Sequence, residues 1–251
     1  MGFGKWIGGG LGWVLCGPLG GIVGYLIGSA IEEVQTTASR NGQLGSEGKA
    51  SGRQTTHGDF RVSLIVLTAA VMKADGKVKT SELDYVKAFY VRTFGSAAQD
   101  AILMLRDVLK QNIPVDEVSR QIGMNLDYSS RLQLLHFLFG IAAADREIAP
   151  SEVAVIERIA SSMGISAADY RSIKAMFIVE AQKTTENAYN ILGLTPNATN
   201  DEIKKAYRKM AVENHPDKVA YLGEDVQKAA KEKFQKIQEA YESIKKERNF
   251  A

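Results

Sequence analysis

Cysteine is all but missing from this chain: Cys16 is the only one among 251 residues. That excludes an intrachain disulfide and a cysteine-based zinc site. A lone thiol fits a reducing compartment. Excess charge is missing as well. The net charge of +2 is too small to make the whole chain a nucleic-acid binder, so any basic patch must be local. Strand signals are scarce throughout. What remains, 45% apolar and 24% charged residues, is the mixture of a chain that folds.

Charge is wholly absent from Trp6 to Ile31, a run of 26 residues between Lys5 and Glu32. About 20 apolar residues suffice to cross a bilayer core as a helix. A signal peptide would have a shorter apolar part and more than one basic residue before it. Along this segment, Gly4, Gly8, Gly12, Cys16, Gly20, Gly24 and Gly28 recur at every fourth position. On a helix they form one stripe of small side chains, the face on which two backbones approach closely in lipid. In water each such glycine would cost a helix about 1 kcal/mol against alanine. Residues 1–35 therefore read as a Gly-rich membrane segment, with a homodimer through the stripe as a corollary. "CGPLGG" at 16–21 is either a kink in one span or the turn of a re-entrant hairpin; a single kinked span is the expectation.

Residues 36–58 are rich in Ser, Thr, Gly and Gln, with Leu44 as the only large aliphatic residue. Such a stretch cannot bury a core and reads as a flexible linker. His57 falls in it, with no role assigned. From 59 to 180 the pattern is helical. Leu64, Leu67, Val71 and Ala74 keep 3- and 4-residue spacing, as do Leu83, Val86 and Tyr90. "RLQLLHFLFGIAAAD" is a further apolar helix, which makes His136 a satisfied core histidine.

An internal repeat lies at an offset of 70 residues: "VMKADGKVKTSELDYV" (71–86) aligns with "IAAADREIAPSEVAVI" (141–156). Each copy is a helix, an acidic turn and a new helix. Ser81 can cap, and Pro150 suits a first helical position. This pattern resembles the TerB-like fold, an all-helical domain built from two such units. Asp75, Glu82, Asp145 and Glu152 recur in the two copies and offer oxygen ligands of the kind a hard divalent ion takes. Their spacing matches no calcium-loop signature, so capping and solubility at two helix starts is the expected role, and no cofactor is expected.

The residues from 187 to 251 form another helical unit. "NAYNILGL" is a short apolar helix closed near Gly193. In "TNDEIKKAYRKMAVEN", Thr199 or Asn200 can cap, and Asp201 and Glu202 occupy the first turn, where the helix dipole favours acids. At 100° per residue, Ile203, Ala206, Tyr207 and Met210 fall on one side. Lys204, Lys205, Arg208 and Lys209 fall opposite, with no acid among them. A solvated face normally mixes signs; an unmixed one favours an acidic partner. A last helix from about Glu224 to Lys246 carries Val226, Ala230, Phe234, Ile237, Tyr241 and Ile244 as its apolar stripe. Packed antiparallel on the 200–213 helix, it leaves His215, Pro216 and Asp217 at the tip of a hairpin.

"AYNILGL", "DEIKKAYRKMAVENHPDK" and "FQKIQEAYESI" together resemble the J-domain, the Hsp70-activating module of DnaJ (Hsp40) proteins. The resemblance implies that His215, Pro216 and Asp217 are the HPD motif, needed to stimulate Hsp70 ATP hydrolysis. It also implies that Lys204, Lys205, Arg208 and Lys209 meet a negatively charged Hsp70 surface. No Gly/Phe-rich stretch follows this unit in the sequence and no zinc-binding cysteine cluster is present, so the client-binding parts of DnaJ itself are not expected. The segment order resembles that of the membrane-anchored DnaJ-like co-chaperones of bacteria. The expectation is an all-α protein that is not an enzyme: a single-pass inner-membrane co-chaperone for a DnaK-type Hsp70, its J-domain in the cytosol. The rival reading is a TerB-like envelope stress-response or metal-sensing scaffold with the J-domain as tether or output.

Overall fold

A computed structural model describes residues 57–76, 78, 80–144, 148–177 and 184–250. The membrane segment, nearly all of the linker and Asp145 lie outside the described residues. The described residues contain helices and no strand.

Two helices are apolar all round and therefore central. In α1 (His57–Met72) the consecutive residues Leu64, Ile65, Val66 and Leu67 are all buried, as are Ala69, Ala70 and Val71. The expected one-sided stripe is thus only part of what this helix buries, because neighbours cover every side. The same holds for α5 (Tyr128–Ala142), where Leu132 to Leu135 are all buried. Around them pack α2 (Thr80–Phe94), α3 (Ala98–Val108), α4 (Val115–Asn125), α6 (Pro150–Ser162) and α7 (Ala167–Ala175). Helix α1 begins at His57, inside the stretch read as linker.

The repeat is structural. Helix α1 ends at Met72 and α5 at Ala142; α2 starts at Thr80 and α6 at Pro150. Pro150 takes the first helical position, where its missing N–H costs nothing. Glu152 reaches back to accept the Ala149 backbone N–H at 2.8 Å. Ser81 lies within α2 rather than before it. Helices α4 and α6 approach closely at Gly123, where a Cβ would stand 2.8 Å from the Met163 carbonyl oxygen.

The second unit is built from α8 (Thr184–Ile191), α9 (Asn200–Glu213), a 3-10 segment (Pro216–Leu222) and α10 (Glu224–Arg248). Gly193 closes α8 with φ +68°, a conformation that favours glycine. Thr199 caps α9: its hydroxyl accepts from the Glu202 N–H, and its own N–H donates to the Glu202 carboxylate at 2.7 Å. The backbone and hydroxyl donors of Thr199 hold that carboxyl below its ordinary range. Thr199→Ala is expected to destabilise the protein by about 1 kcal/mol, read as a lower thermal midpoint.

This unit has its own core of Tyr189, Leu192, Ile203, Ile237 and Ile244. The core of the first unit, however, runs on into it. Val219, Leu222, Val226 and Ala230 are buried in the same cluster as Leu64 and Phe139. The two helical units therefore meet along an apolar seam. Burying a Val or Leu side chain contributes about 1.5–3 kcal/mol, whereas a half-exposed ion pair contributes at most about 1 kcal/mol. Apolar contact, not charge, is what holds the seam.

Candidate docking site on the helical hairpin

Helices α9 and α10 run antiparallel. Along α9 the contacts go from Lys204 over the Phe250 ring (5.4 Å) to Tyr207 stacked on Tyr241 (centroids 4.2 Å apart). They end with His215 edge-on to Phe234 (5.8 Å, 73°). As the first number rises the second falls, so the loop after α9 is the hairpin tip.

Several local features shape that tip. The Asn214 side chain folds back and donates to the Met210 carbonyl at 2.9 Å. Pro216 cannot continue α9 and confines His215 to extended backbone, φ −63° and ψ 129°. The Asp217 N–H donates to His215 Nδ1 at 3.3 Å, closing a turn that fixes the imidazole. Both side chains reach solvent, 49% exposed for His215 and 78% for Asp217. Phe234, expected in the core, is only half-buried and serves as the wall behind His215. The stripe that α10 buries is Val226, Ala230, Lys233, Ile237, Ala240 and Ile244. A lysine holds the place expected for Phe234.

The cationic row is split rather than uniform. Lys205 and Arg208 are exposed, as the spacing implies. Lys204 is half-buried beside Phe250. Lys209 departs from the expectation of a face without acids. Its Nζ lies 3.9 Å from Asp169 and 3.8 Å from Glu213. Glu213 is four residues on along the same helix, within reach of a helical wheel; the wheel could not show Asp169, which comes from α7 of the other unit. Asp169 is buried and also accepts hydrogen bonds from the Tyr128 and Ser166 hydroxyls, at 2.5 Å each. Burial, with Asp169 beside it, lifts the Glu213 carboxyl above its ordinary range.

The seam grips both flanks of the tip. On one side Ser129 Oγ donates to the Glu213 carbonyl at 2.8 Å. On the other, the Tyr221 hydroxyl donates to Asp127 and lies 2.8 Å from Ser130 Oγ. Deeper in, Lys233 is only 2% exposed. Its burial, partly offset by the charge of Asp169, pulls its pKa down to about 7. His136 faces the same place. Its Nε2 is buried without a hydrogen-bond partner, so it is not the satisfied core histidine the sequence implied. Burial, then the charges of Lys233 and Lys236, hold the imidazole pKa well below its ordinary value. None of Ser129, Tyr221 and Lys233 was legible as a site residue, since each draws its role from the other unit.

Of the candidate oxygen ligands, Asp145 lies outside the described residues. Glu82 and Glu152 are each 1% exposed at equivalent helix starts, and Asp75 is exposed. Among the described residues no three His, Cys, Asp or Glu side chains gather as a metal site would require.

A short helix, a basic helix, an exposed His-Pro-Asp turn and a long third helix define a J-domain, and the class is matched: residues 187–249 match the DnaJ domain. Residues 61–175 match tellurite resistance protein TerB, and residues 1–41 match the transmembrane domain of the co-chaperone DjlA. Taken together, domain content and order place the chain in the DjlA-like family of membrane-anchored J-domain co-chaperones. It is 29% identical to the co-chaperone protein DjlA of Coxiella burnetii over 98% of both chains. Against the protein of that name from Photobacterium profundum it is 27% identical over 99% of both. With the one from Escherichia coli K12 it shares 33% identity over 62% of this chain and 65% of that one. No solved structure matches the chain. Among the described residues no helix is long and apolar enough to cross a membrane.

Proposed function

We propose that the chain recruits a DnaK-type Hsp70 to a membrane and stimulates its ATP hydrolysis through His215, Pro216 and Asp217. The observation that carries this reading is the exposed His215–Asp217 turn beside the exposed cations Lys205 and Arg208. Asp217 offers a carboxylate to a cation on the partner, and His215 a polar edge. The exposed cations favour an acidic surface and speed encounter with it. Neither side chain of the turn performs chemistry on a substrate in this reading; the turnover belongs to Hsp70. Hsp70 and ATP are cytosolic, so the J-domain faces the cytosol, and residues 6–31 cross the bacterial inner membrane once. Single-turnover ATP hydrolysis by a cognate Hsp70, with the full chain in lipid vesicles, tests this. Acceleration is expected; an unchanged rate would overturn the reading.

The glycine stripe at Gly20, Gly24 and Gly28 gives the membrane segment a face for self-association. Replacing all three with Leu is expected to abolish crosslinked dimers in membranes. Equal crosslinking in both forms would rule the stripe out as the contact.

A further inference from the structure

The seam between the two units reaches the docking turn and the cationic row. Three observations bear on it. First, Lys209 belongs to the cationic row beside the tip, yet its ammonium is turned to Asp169 on the other unit and to Glu213. Second, the flanks of the His215–Asp217 turn are tied to the N-terminal end of α5, through Ser129 before it and through Asp127 and Ser130 after it. Third, the docked seam is imperfect. Glu213 Oε2 and His136 Nε2 are buried there without hydrogen-bond partners, and Lys233 is buried in the α10 stripe. Groups left unpaired in a closed seam regain water when it opens, which offsets part of the apolar burial that closes it. Such groups lower the cost of opening an interface, and a ligand with different affinity for a closed and an open arrangement shifts the balance between them.

We propose that the TerB-like unit is an intramolecular lock on the J-domain. In the docked state Asp169 occupies Lys209, and the acidic surface of an Hsp70 competes with Asp169 for that lysine. The lock rests on the reading that the cationic row meets an acidic partner. It goes beyond that reading by giving the TerB-like unit a role of its own. The unit holds back part of the row and both flanks of the turn until a partner, or a signal on the bundle, opens the seam.

Three substitutions in the full chain, reconstituted in lipid vesicles, test the lock. Asp169→Asn keeps an acceptor for Tyr128 and Ser166 but drops the charge. Tyr221→Phe removes only the hydroxyl held by Asp127 and Ser130, and it leaves the α7 cap untouched should the first variant misfold. Lys233→Met keeps length and loses the buried charge, so it favours closure. Two readouts are taken: amide hydrogen exchange over 219–222, without Hsp70, and the concentration of chain giving half-maximal single-turnover acceleration of a cognate Hsp70. Asp169→Asn and Tyr221→Phe are expected to speed exchange and to lower that concentration about two- to fivefold, the reach of one partly exposed polar contact. Lys233→Met moves both readouts the other way. The Asp169→Asn effect on acceleration shrinks as salt rises, since Lys209 is half in solvent. Unchanged exchange in Asp169→Asn and Tyr221→Phe would overturn the lock, as would faster exchange with weaker acceleration. A wild-type chain that accelerates nothing would sink the Hsp70 reading instead, and exchange alone would then decide whether the seam opens.

Discussion

His215→Gln is expected to remove the acceleration of Hsp70 ATP hydrolysis while leaving the fold intact. The imidazole does two things that an amide cannot do together. Its ring packs edge-on with Phe234, and its Nδ1 accepts the Asp217 N–H. Glutamine keeps polarity and reach but is flexible, so the turn loses the feature that holds its carboxylate in place. Pro216 still enforces the break in α9. Truncating a central contact of an interface costs about 2 kcal/mol or more, roughly a thirtyfold loss of effect. Half of the His215 side chain is in solvent, and surface changes usually alter stability by less than about 0.5 kcal/mol. Single-turnover hydrolysis should therefore fall to the rate of Hsp70 alone, while the thermal midpoint stays where it was. A mutant that accelerates hydrolysis as the wild type does would refute the role given to the turn.

The parts that are legible from sequence are those written in local spacing. The cap of Thr199 with Glu202, the glycine after α8, the break at Pro216 and the 70-residue repeat each depend on residues a few places apart, or on one motif set beside its copy. The antiparallel hairpin follows from two amphipathic helices joined through a break at Pro216. The seam is not legible, and Lys209 shows why. On its own helix it sits with Lys205 and Arg208, and a helical wheel knows nothing of Asp169, which is 40 residues earlier in the chain. Ser129 meets Glu213 across 84 residues, and Tyr221 meets Asp127 across 94. Such pairs carry no periodic signal. The stripe of α10 differs from its sequence reading at two positions, Lys233 for Phe234 and Ala240 for Tyr241, and the first has a chemical reason. Phe234 is the more apolar of two neighbours, but spacing from Ala230 to Ile237 passes equally well through Lys233. A lysine stem can line an apolar face when the surroundings accept it.

That lysine gives the largest stability effect to be expected from one substitution. Lys233→Met should raise the stability of the protein by about 2–3 kcal/mol at neutral pH. Lys233 is 2% exposed, and burial lowers its pKa from 10.5 to about 7. Such a shift corresponds to roughly 5 kcal/mol of cost to the charged form, an upper bound because Asp169 and local opening relieve part of it. Replacing buried charge by an apolar side chain of like volume is neutral or stabilising in general, and methionine matches the lysine stem. The pH dependence follows from proton counts. Between about 7 and 10.5 the unfolded chain holds a proton on this lysine that the folded chain has released. Wild-type stability from this group therefore rises with pH through that window, and below it the cost is constant. Lys233→Met removes this dependence. The gap between mutant and wild type should be widest at pH 7 and below, and narrow steadily towards pH 10. Denaturant melts of both forms at pH 7, 8.5 and 10 measure it. The gain also separates the two properties of the seam, because the same substitution that makes the protein harder to unfold should make its J-domain slower to release. A form that is less stable than wild type at pH 7 would mean that Lys233 is held by more than burial allows, and the seam would then be a fixed joint rather than a lock.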